Sequence, residues 1–225
     1  MHAIYRKAAL SLLQLPLVVG ALVFLPAGTL RYWQAWLFLL VFFICSLAIT
    51  LYLARKDPEL LERRMRVGPR AEQEPSQKLI MTLALLAVAA LPVLSALDHR
   101  FGWSQVPPAL VIFGNILIGL AYVGFYLVFR ENTYGGATIE LTPGQTVVTT
   151  GPYAVVRHPM YSWALLMLLG IPLALGSWWG VLLLVPALAA ILWRLQEEER
   201  FLVTELPGYR DYQRKVRHRL IPLIW

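Results

Sequence analysis

Long apolar segments constrain this sequence more than any other feature. Hydrophobic residues make up 58% of the 225 residues and charged residues only 15%, a balance that a small soluble core does not require. A helix needs about 20 consecutive apolar residues to cross a bilayer. Apolar blocks of roughly this length or longer occupy residues 8–27, 33–54, 79–97, 106–129 and 161–193. We therefore predict an all-α integral membrane protein with five to six transmembrane helices.

The last apolar block is longer than one span and is interrupted by Gly176 and Ser177. A glycine inside an apolar run favours a turn between two helices. We interpret residues 161–193 as a C-terminal helical hairpin with arms of about 15 residues, which reach about 22 Å against a hydrocarbon core of about 30 Å. Aromatic rings favour the membrane interface, and tryptophans lie near the ends of this hairpin: Trp163, Trp178, Trp179 and Trp193.

Basic residues are distributed unevenly between the two sides of these spans. If the N-terminus lies in the cytoplasm, only Arg31 and Arg100 of the 20 Lys and Arg residues fall outside. Cytoplasmic loops are enriched in Lys and Arg. We therefore expect a multi-pass protein with both termini cytoplasmic, in the inner (plasma) membrane if the organism is bacterial. The net charge of +7 then reflects topology and attraction to anionic lipid, and we expect no nucleic-acid partner.

Cysteine and histidine usage argues against redox and metal chemistry. The single cysteine, Cys45, lies within the second apolar block and can form no intramolecular disulfide. The four histidines lack the short helical spacing of a zinc pair. We expect no metal site.

Three polar stretches remain where chemistry could take place. Residues 55–78 begin a short helix at Pro58 and suit an interfacial linker between two spans. Residues 130–160 contain turns and strand-like pieces, including the β-branched run 146–150. The third stretch is the basic tail that begins at Arg194. The last two stretches flank the hairpin, and we expect them to close over each other as cytoplasmic segments that cover a cofactor.

The start of the hairpin carries Arg157 and His158 directly before Pro159. Proline suits the first turn of a helix, where unpaired backbone N–H groups attract a carboxylate or phosphate. Arg157 and His158 add donors beside that turn. An interfacial anchor is the alternative reading of this pair.

The end of the hairpin carries Arg194 and Glu198, four residues apart and therefore on one helix face. Glu198 belongs to the acidic triplet 197–199 within an otherwise basic tail. Like-charge crowding is unfavourable unless cations lie nearby, and a cationic ligand would relieve it. A surface salt bridge is the alternative.

These motifs follow one another in an order that resembles a known family. Their sequence is Gly151-Pro152-Tyr153, Arg157-His158-Pro159-x-Tyr161, the hairpin, Arg194-x-x-x-Glu198-Glu199-x-x-Leu202, Tyr209, Tyr212 and Arg219-Leu220-Ile221-Pro222. The combination resembles the isoprenylcysteine carboxyl methyltransferase family, to which the phospholipid N-methyltransferases are related. The resemblance covers about residues 130–225, which we take as a catalytic region. Residues 1–129 resemble the family only as membrane spans, with a charged cytoplasmic linker at 55–78.

The resemblance implies a membrane enzyme that transfers a methyl group from S-adenosylmethionine to a lipid or lipid-like acceptor. Carboxylate O-methylation is favoured, and phospholipid amine N-methylation is the other option. Arg194 is implied to contact the acceptor, and His158 is the first candidate for a base where the acceptor must lose a proton. The implied cofactor contacts are Gln145, Thr146, Val147, Val148, Tyr153, His158, Pro159, Met160, Tyr161 and Glu198.

The chain departs from the family pattern at two places. Trp163 stands where family members usually carry glycine, and residues 206–208 replace a longer loop. Both departures bear on the path of the acceptor.

Two other functions fit part of the sequence. A membrane NADPH-dependent reductase of the sterol reductase type would need additional Arg or Lys for a 2′-phosphate and would have less use for paired glutamates. A non-catalytic membrane protein, such as a transporter subunit, would normally place a charged residue deep inside a span, and no predicted span contains one.

Overall fold

The computed structural model describes residues 2–72 and 74–222, and these residues form helices and loops without a β-strand. The α-helices are α1 (His2–Ala27), α2 (Trp33–Lys56), α3 (Pro58–Met65), α4 (Pro75–Phe101), α5 (Pro108–Glu131), α6 (Pro159–Ala174), α7 (Trp178–Leu182), α8 (Leu184–Glu205) and α9 (Tyr209–Lys215). A 3₁₀ helix, Gly151–Ala154, lies between α5 and α6. The predicted all-α fold is confirmed.

Within the described residues, five helical segments are long and apolar enough to cross a membrane: Ile4–Ala27, Trp33–Lys56, Pro75–Phe101, Pro108–Glu131 and Trp178–Glu205. Helix α6 is apolar but has only 16 residues, about 24 Å of helix. The protein is therefore a multi-pass integral membrane protein with five candidate spans and one shorter apolar helix.

The predicted hairpin is present, but its second arm is longer than the sequence suggested. Gly176 has a φ of 71° and separates α6 from α7, as expected for a turn that only glycine adopts readily. Beyond this turn, α7 and α8 run over Trp178–Glu205, 28 residues instead of about 15. The estimate of about 15 counted only the apolar part of the arm, up to residue 193. Leu, Gln, Glu and Arg after Arg194 are strong helix formers, and the helix continues through them, as the shared face of Arg194 and Glu198 requires.

Proline fixes the starting points of four helices. Helices α3, α4, α5 and α6 each begin with proline in the first turn, where the missing N–H costs no hydrogen bond. The starts predicted at Pro58 and Pro159 are confirmed. At α3 the Asp57 side chain also accepts a hydrogen bond from Leu60 N at 2.9 Å, which caps the helix.

The strand-like pieces predicted between residues 130 and 160 are wrong. Residues 145–149 have no regular secondary structure. A β-branched run needs a partner strand, and the described chain contains none. Val147 instead packs with Leu206, Tyr209 and Tyr212 in a small apolar cluster beside α9.

Helices α5 and α6 approach each other through glycine. A Cβ on Gly114 would collide with the backbone of Ala174 and Gly170, and a Cβ on Gly170 would lie 2.8 Å from Gly114 O. Further along the same interface, Gly124 leaves room for the indole of Trp163, which covers it. Small residues allow close helix packing in membranes, where packing replaces the hydrophobic effect as the driving force.

The end of the bundle that carries Arg31 and Arg100 lies opposite the end where α5 finishes and α6 begins. Near it, buried Asp98 accepts hydrogen bonds from Ser104 Oγ at 2.7 Å and Ser177 Oγ at 2.5 Å. At the other end, Tyr5 OH donates to Ala54 O at 3.2 Å, so the beginning of α1 lies beside the end of α2. The basic helix ends therefore collect at one end of the molecule, while the side of the membrane that this end faces stays a prediction.

We expect the α5–α6 contact to be sensitive to a single methyl group. Gly114→Ala should lower the thermal unfolding midpoint by several degrees in detergent, because the added Cβ would meet backbone atoms that cannot move independently. Gly119→Ala, in the same helix, is the matched control. A Cβ at Gly119 meets nothing within 4 Å, so this variant should unfold at the wild-type temperature or slightly above it. Equal midpoints for the two variants would contradict the close contact.

Candidate active site

A cavity of about 370 Å³ lies at the end of the bundle where α5 finishes and α6 begins. This volume is in the range typical of small-molecule sites. Its walls come from α3, α4, α6, α8 and α9 and from residues 132–148, which we call the cover segment. The cover segment contains no helix or strand and closes the cavity as a loop.

All eleven residues that the sequence assigned to a site line this cavity. They are Gln145, Thr146, Val147, Val148, Tyr153, His158, Pro159, Met160, Tyr161, Arg194 and Glu198. Residues from three distant parts of the chain are thus brought together. Their contacts with a cofactor or an acceptor stay predictions.

A phenol links the two charged residues on α8. Tyr161 OH donates to Glu198 Oε2 at 2.5 Å and accepts from Arg194 Nε at 3.2 Å. The second Glu198 oxygen lies 4.0 Å from His158 Nδ1, and the Glu198 side chain keeps 28% of its surface exposed. Glu198 therefore presents a negative charge to the cavity.

Arg194 is buried, which excludes the surface salt bridge as its role. Its Nη2 lies 2.9 Å from Glu72 Oε1 and donates to Ala137 O at 2.8 Å. Its Nη1 is buried and has no hydrogen-bond partner among residues 2–72 and 74–222. One donor of this guanidinium is therefore available to a ligand.

Sequence reasoning missed Glu72 because the residue lies in the linker, far from Arg194 along the chain. Only a fold that lays the linker across the cavity brings the two together. No local spacing could have indicated this pair.

Glu199, which the sequence did not single out, is the centre of a buried charge cluster. Its Oε1 accepts from Arg157 Nε at 2.6 Å and lies 3.2 Å from His158 Nε2, while its Oε2 accepts from Arg219 Nε at 2.9 Å. Arg157 also donates through Nη1 to Val216 O and Arg217 O. The cluster therefore ties α8, the start of α6 and the C-terminal segment together.

The three carboxylates of the acidic triplet 197–199 thus have three different kinds of partner, which reduce the repulsion between them. Glu199 is neutralised by buried cations of the protein, and Glu197 pairs with exposed Arg200. Glu198 accepts a hydrogen bond from the Tyr161 phenol, and the His158 ring nitrogen Nδ1 lies 4.0 Å from its other oxygen. Only Glu198 therefore fits the prediction that a cationic ligand relieves the crowding.

The α6 N-terminus offers fewer free donors than the sequence suggested. The N–H groups of Tyr161 and Ser162 both donate to His158 O, at 3.1 and 3.2 Å. The His158 ring is buried, and its Nε2 is held by Glu199. This end of the helix is therefore mostly bonded within the protein.

Three tyrosines, Tyr153, Tyr209 and Tyr212, line the polar end of the cavity. Tyr153 OH accepts from Asn132 Nδ2 at 2.8 Å, and Tyr212 OH donates to Tyr153 O at 2.7 Å. Burial raises the pKa of Tyr153 to about 12, so its ring stays neutral at physiological pH. Tyr209 OH is buried and has no hydrogen-bond partner in the described parts of the chain.

The linker between α2 and α4 forms part of the site, beyond the interfacial connection predicted for it. Arg63 donates to Thr133 O and Arg64 to Gly136 O, at 2.5 and 2.7 Å, and Ile139 N lies 3.4 Å from the Glu72 carboxylate. These contacts hold the cover segment in place. The predicted division at residue 129 stays a prediction, but residues on both sides of it line the cavity.

An apolar extension leads from the polar end of the cavity along the bundle. Its lining residues are Met81, Ala84 and Val88 of α4, Ala164, Met167 and Leu168 of α6, and Ile191 of α8. Val88 has 39% of its surface exposed. Trp163 is not among the lining residues, because its indole fills the space above Gly124. The departure at position 163 therefore leaves this extension open.

Residues 2–72 and 74–222 contain no group of three or more His, Cys, Asp or Glu side chains placed to bind a metal ion.

We expect Glu199 to be the most stability-sensitive residue of the site. Glu199→Gln leaves Arg157 and Arg219 without a buried counter-charge, which typically costs about 3–5 kcal/mol. The thermal midpoint in detergent should fall sharply. Glu197→Gln on the neighbouring position breaks only a largely exposed pair with Arg200, worth about 0–1 kcal/mol. Similar midpoints for both variants would show that the cluster does not stabilise the fold.

Comparison with known proteins gives two matches. Residues 108–206 match the family model described as phospholipid methyltransferase. The cobalt-zinc-cadmium resistance protein CzcN of Cupriavidus metallidurans is 31% identical over 127 residues, which cover 52% of this chain and 51% of that protein. The chain thus spans about half the length of this curated relative.

The family match covers α5 to α8 and all of the predicted site residues. It confirms the resemblance found in the sequence motifs. Residues 108–206 are thus similar to the phospholipid methyltransferase family, which includes the isoprenylcysteine carboxyl methyltransferases.

Proposed function

We propose that the protein is an S-adenosylmethionine-dependent methyltransferase that modifies a lipid-like acceptor taken from the membrane. The family match supports a membrane methyltransferase. The observation that carries the finer proposal is one cavity that joins a polar end, lined by Glu198, Tyr153 and Tyr161, to an apolar extension between the helices.

The polar end has the chemistry that S-adenosylmethionine requires. Its sulfonium and ammonium groups are cations, and Glu198 offers a carboxylate to them while Tyr153 and Tyr161 offer aromatic rings. Val147, Leu202 and Leu206 give the same end an apolar wall for the adenosine. The bound donor would supply an activated methyl group on sulfur, and the task of the protein is to align the acceptor with it.

The acceptor end favours a molecule with an apolar tail and one oxygen close to its reacting atom. The apolar extension suits the tail. Arg194 suits the oxygen through Nη1, because its Nη2 and Nε already contact Glu72, Ala137 and Tyr161. A single contact fits a carboxylate, which is the acceptor group we favour, and also a phosphate beside a phospholipid amine.

The two acceptor classes differ in their need for a base. A carboxylate oxygen is methylated without losing a proton, whereas a protonated amine must first lose one. His158 is the nearest candidate for that proton, although Glu199 holds its Nε2. Carboxylate methylation needs no change in this arrangement, which supports it as the first choice.

The methyl-donor site can be tested by the binding of S-adenosylhomocysteine, the product of the donor. Glu198→Ala should weaken this binding about 10- to 100-fold in calorimetry in detergent, because a charge-assisted hydrogen bond is worth about 1.5–3 kcal/mol. Glu197→Ala, whose carboxylate pairs with Arg200 on the surface, should bind like the wild type. Tight binding of NADPH with no binding of S-adenosylhomocysteine would favour the reductase instead.

Arg194 should serve the acceptor and not the methyl donor. Arg194→Ala should abolish methyl transfer to total membrane lipid while leaving the affinity for S-adenosylhomocysteine within a few-fold of wild type, which also shows that the variant is folded. Arg194→Lys keeps the charge opposite Glu72 but loses the planar fork that places Nη1, so its activity should stay low. Arg200→Ala is the control on the same helix. Full turnover in both Arg194 variants would leave Arg194 as a buried ion-pair partner only.

A further inference from the structure

Three arginines line the cavity, and they differ in their partners. Arg157 pairs with Glu199 and Arg194 pairs with Glu72. Arg64, on α3, has no carboxylate within 4.0 Å among the residues that the structure describes. Of these three arginines, Arg64 is the one that forms no ion pair with a carboxylate among the described residues.

The contacts of Arg64 fix its position but do not neutralise it. Its Nη1 donates to Gly136 O at 2.7 Å, and its guanidinium carbon lies 5.0 Å from the centre of the Phe129 ring. Arg64 is partly buried, and a carbonyl and a ring face are weak substitutes for the water that such a cation gives up. Burial accordingly lowers the pKa of Arg64.

An anion from a ligand would supply the missing counter-charge. Arginine binds carboxylates and phosphates through charge-assisted hydrogen bonds, and these strengthen where water is excluded. Arg64 lines the same cavity as Tyr153, Tyr161 and Glu198, so such an anion would belong to a molecule bound there.

We propose that Arg64 binds the anionic group of a ligand in this cavity, a carboxylate or a phosphate. The proposal rests on the proposed function, and two sources can supply the group. One is the amino-acid carboxylate of the methyl donor, and the other is the anionic headgroup of the acceptor. The charged linker of residues 55–78 then takes part in ligand recognition through one side chain.

Arg63 provides a matched control on the same helix. It donates to Thr133 O, as Arg64 donates to Gly136 O, but it does not line the cavity. Arg63→Gln therefore removes an equivalent contact with the cover segment without removing a cavity charge.

The first arm of the test compares two nucleosides by calorimetry. S-adenosylhomocysteine carries the amino-acid carboxylate, and 5′-methylthioadenosine lacks the whole amino-acid part. If Arg64 binds the donor, Arg64→Gln should lose about tenfold or more in affinity for S-adenosylhomocysteine and keep its affinity for 5′-methylthioadenosine. Arg63→Gln, which removes a comparable contact with the cover segment, should not discriminate between the two nucleosides.

The second arm tests whether the acceptor supplies the anionic group that Arg64 binds. Dodecyl phosphate, added to the protein in neutral dodecyl maltoside micelles, should raise the thermal midpoint of the wild type and of Arg63→Gln but not of Arg64→Gln. Affinity for S-adenosylhomocysteine would then be unchanged in Arg64→Gln. If Arg64→Gln does not fold, Arg64→Lys serves in both arms, because lysine keeps the charge but loses the two-point contact and should give an intermediate loss.

The outcomes separate this proposal from the proposed function. Wild-type protein that does not bind S-adenosylhomocysteine contradicts the methyltransferase proposal. Wild-type protein that binds it, with Arg64→Gln equal to wild type for both nucleosides and for dodecyl phosphate, overturns the role of Arg64 alone. If the wild type neither binds S-adenosylhomocysteine nor is stabilised by dodecyl phosphate, both the methyltransferase proposal and the proposed role of Arg64 are wrong.

Discussion

The buried carboxylate of Glu199 is the interaction on which the rest of the site depends. It joins Arg157, His158 and Arg219, which belong to the start of α6 and to the C-terminal segment, while Glu199 itself belongs to α8. These three elements are far apart in the sequence. Because a buried charge is tolerated only when it is fully paired, the cluster allows few alternative arrangements. It therefore sets the distance between the two ends of the hairpin, and with it the shape of the polar end of the cavity.

The parts of this fold that could be predicted from sequence depend on local physics. Spans follow from hydropathy alone, helix starts follow from Pro58 and Pro159, and the hairpin turn follows from Gly176. Each of these features is decided by residues that lie close together in the sequence. The motif order then placed the predicted site residues around one cavity, because the resemblance covered the region that forms most of its polar end.

The parts that could not be predicted depend on contacts between distant segments. The pair of Arg194 with Glu72 and the cavity position of Arg64 both require the linker to lie over the cover segment. The hydrophobic periodicity of the sequence does not indicate such a contact between distant segments. The effect of Trp163 on the acceptor path could not be predicted because its partner, Gly124, lies on another helix. The β-branched run at 146–150 was misread for the same reason, since a strand exists only where a second strand pairs with it.

The cover segment has a further consequence for how molecules reach the cavity. It has no β-ladder of its own, and its contacts with the bundle are mainly hydrogen bonds and packing from side chains of the linker, α8 and α9. Such a loop opens at a free-energy cost far below that of unfolding the helices. Under the proposed function, a water-soluble donor would enter through the loop and a hydrophobic acceptor would arrive between helices, so the two reactants would use separate entrances.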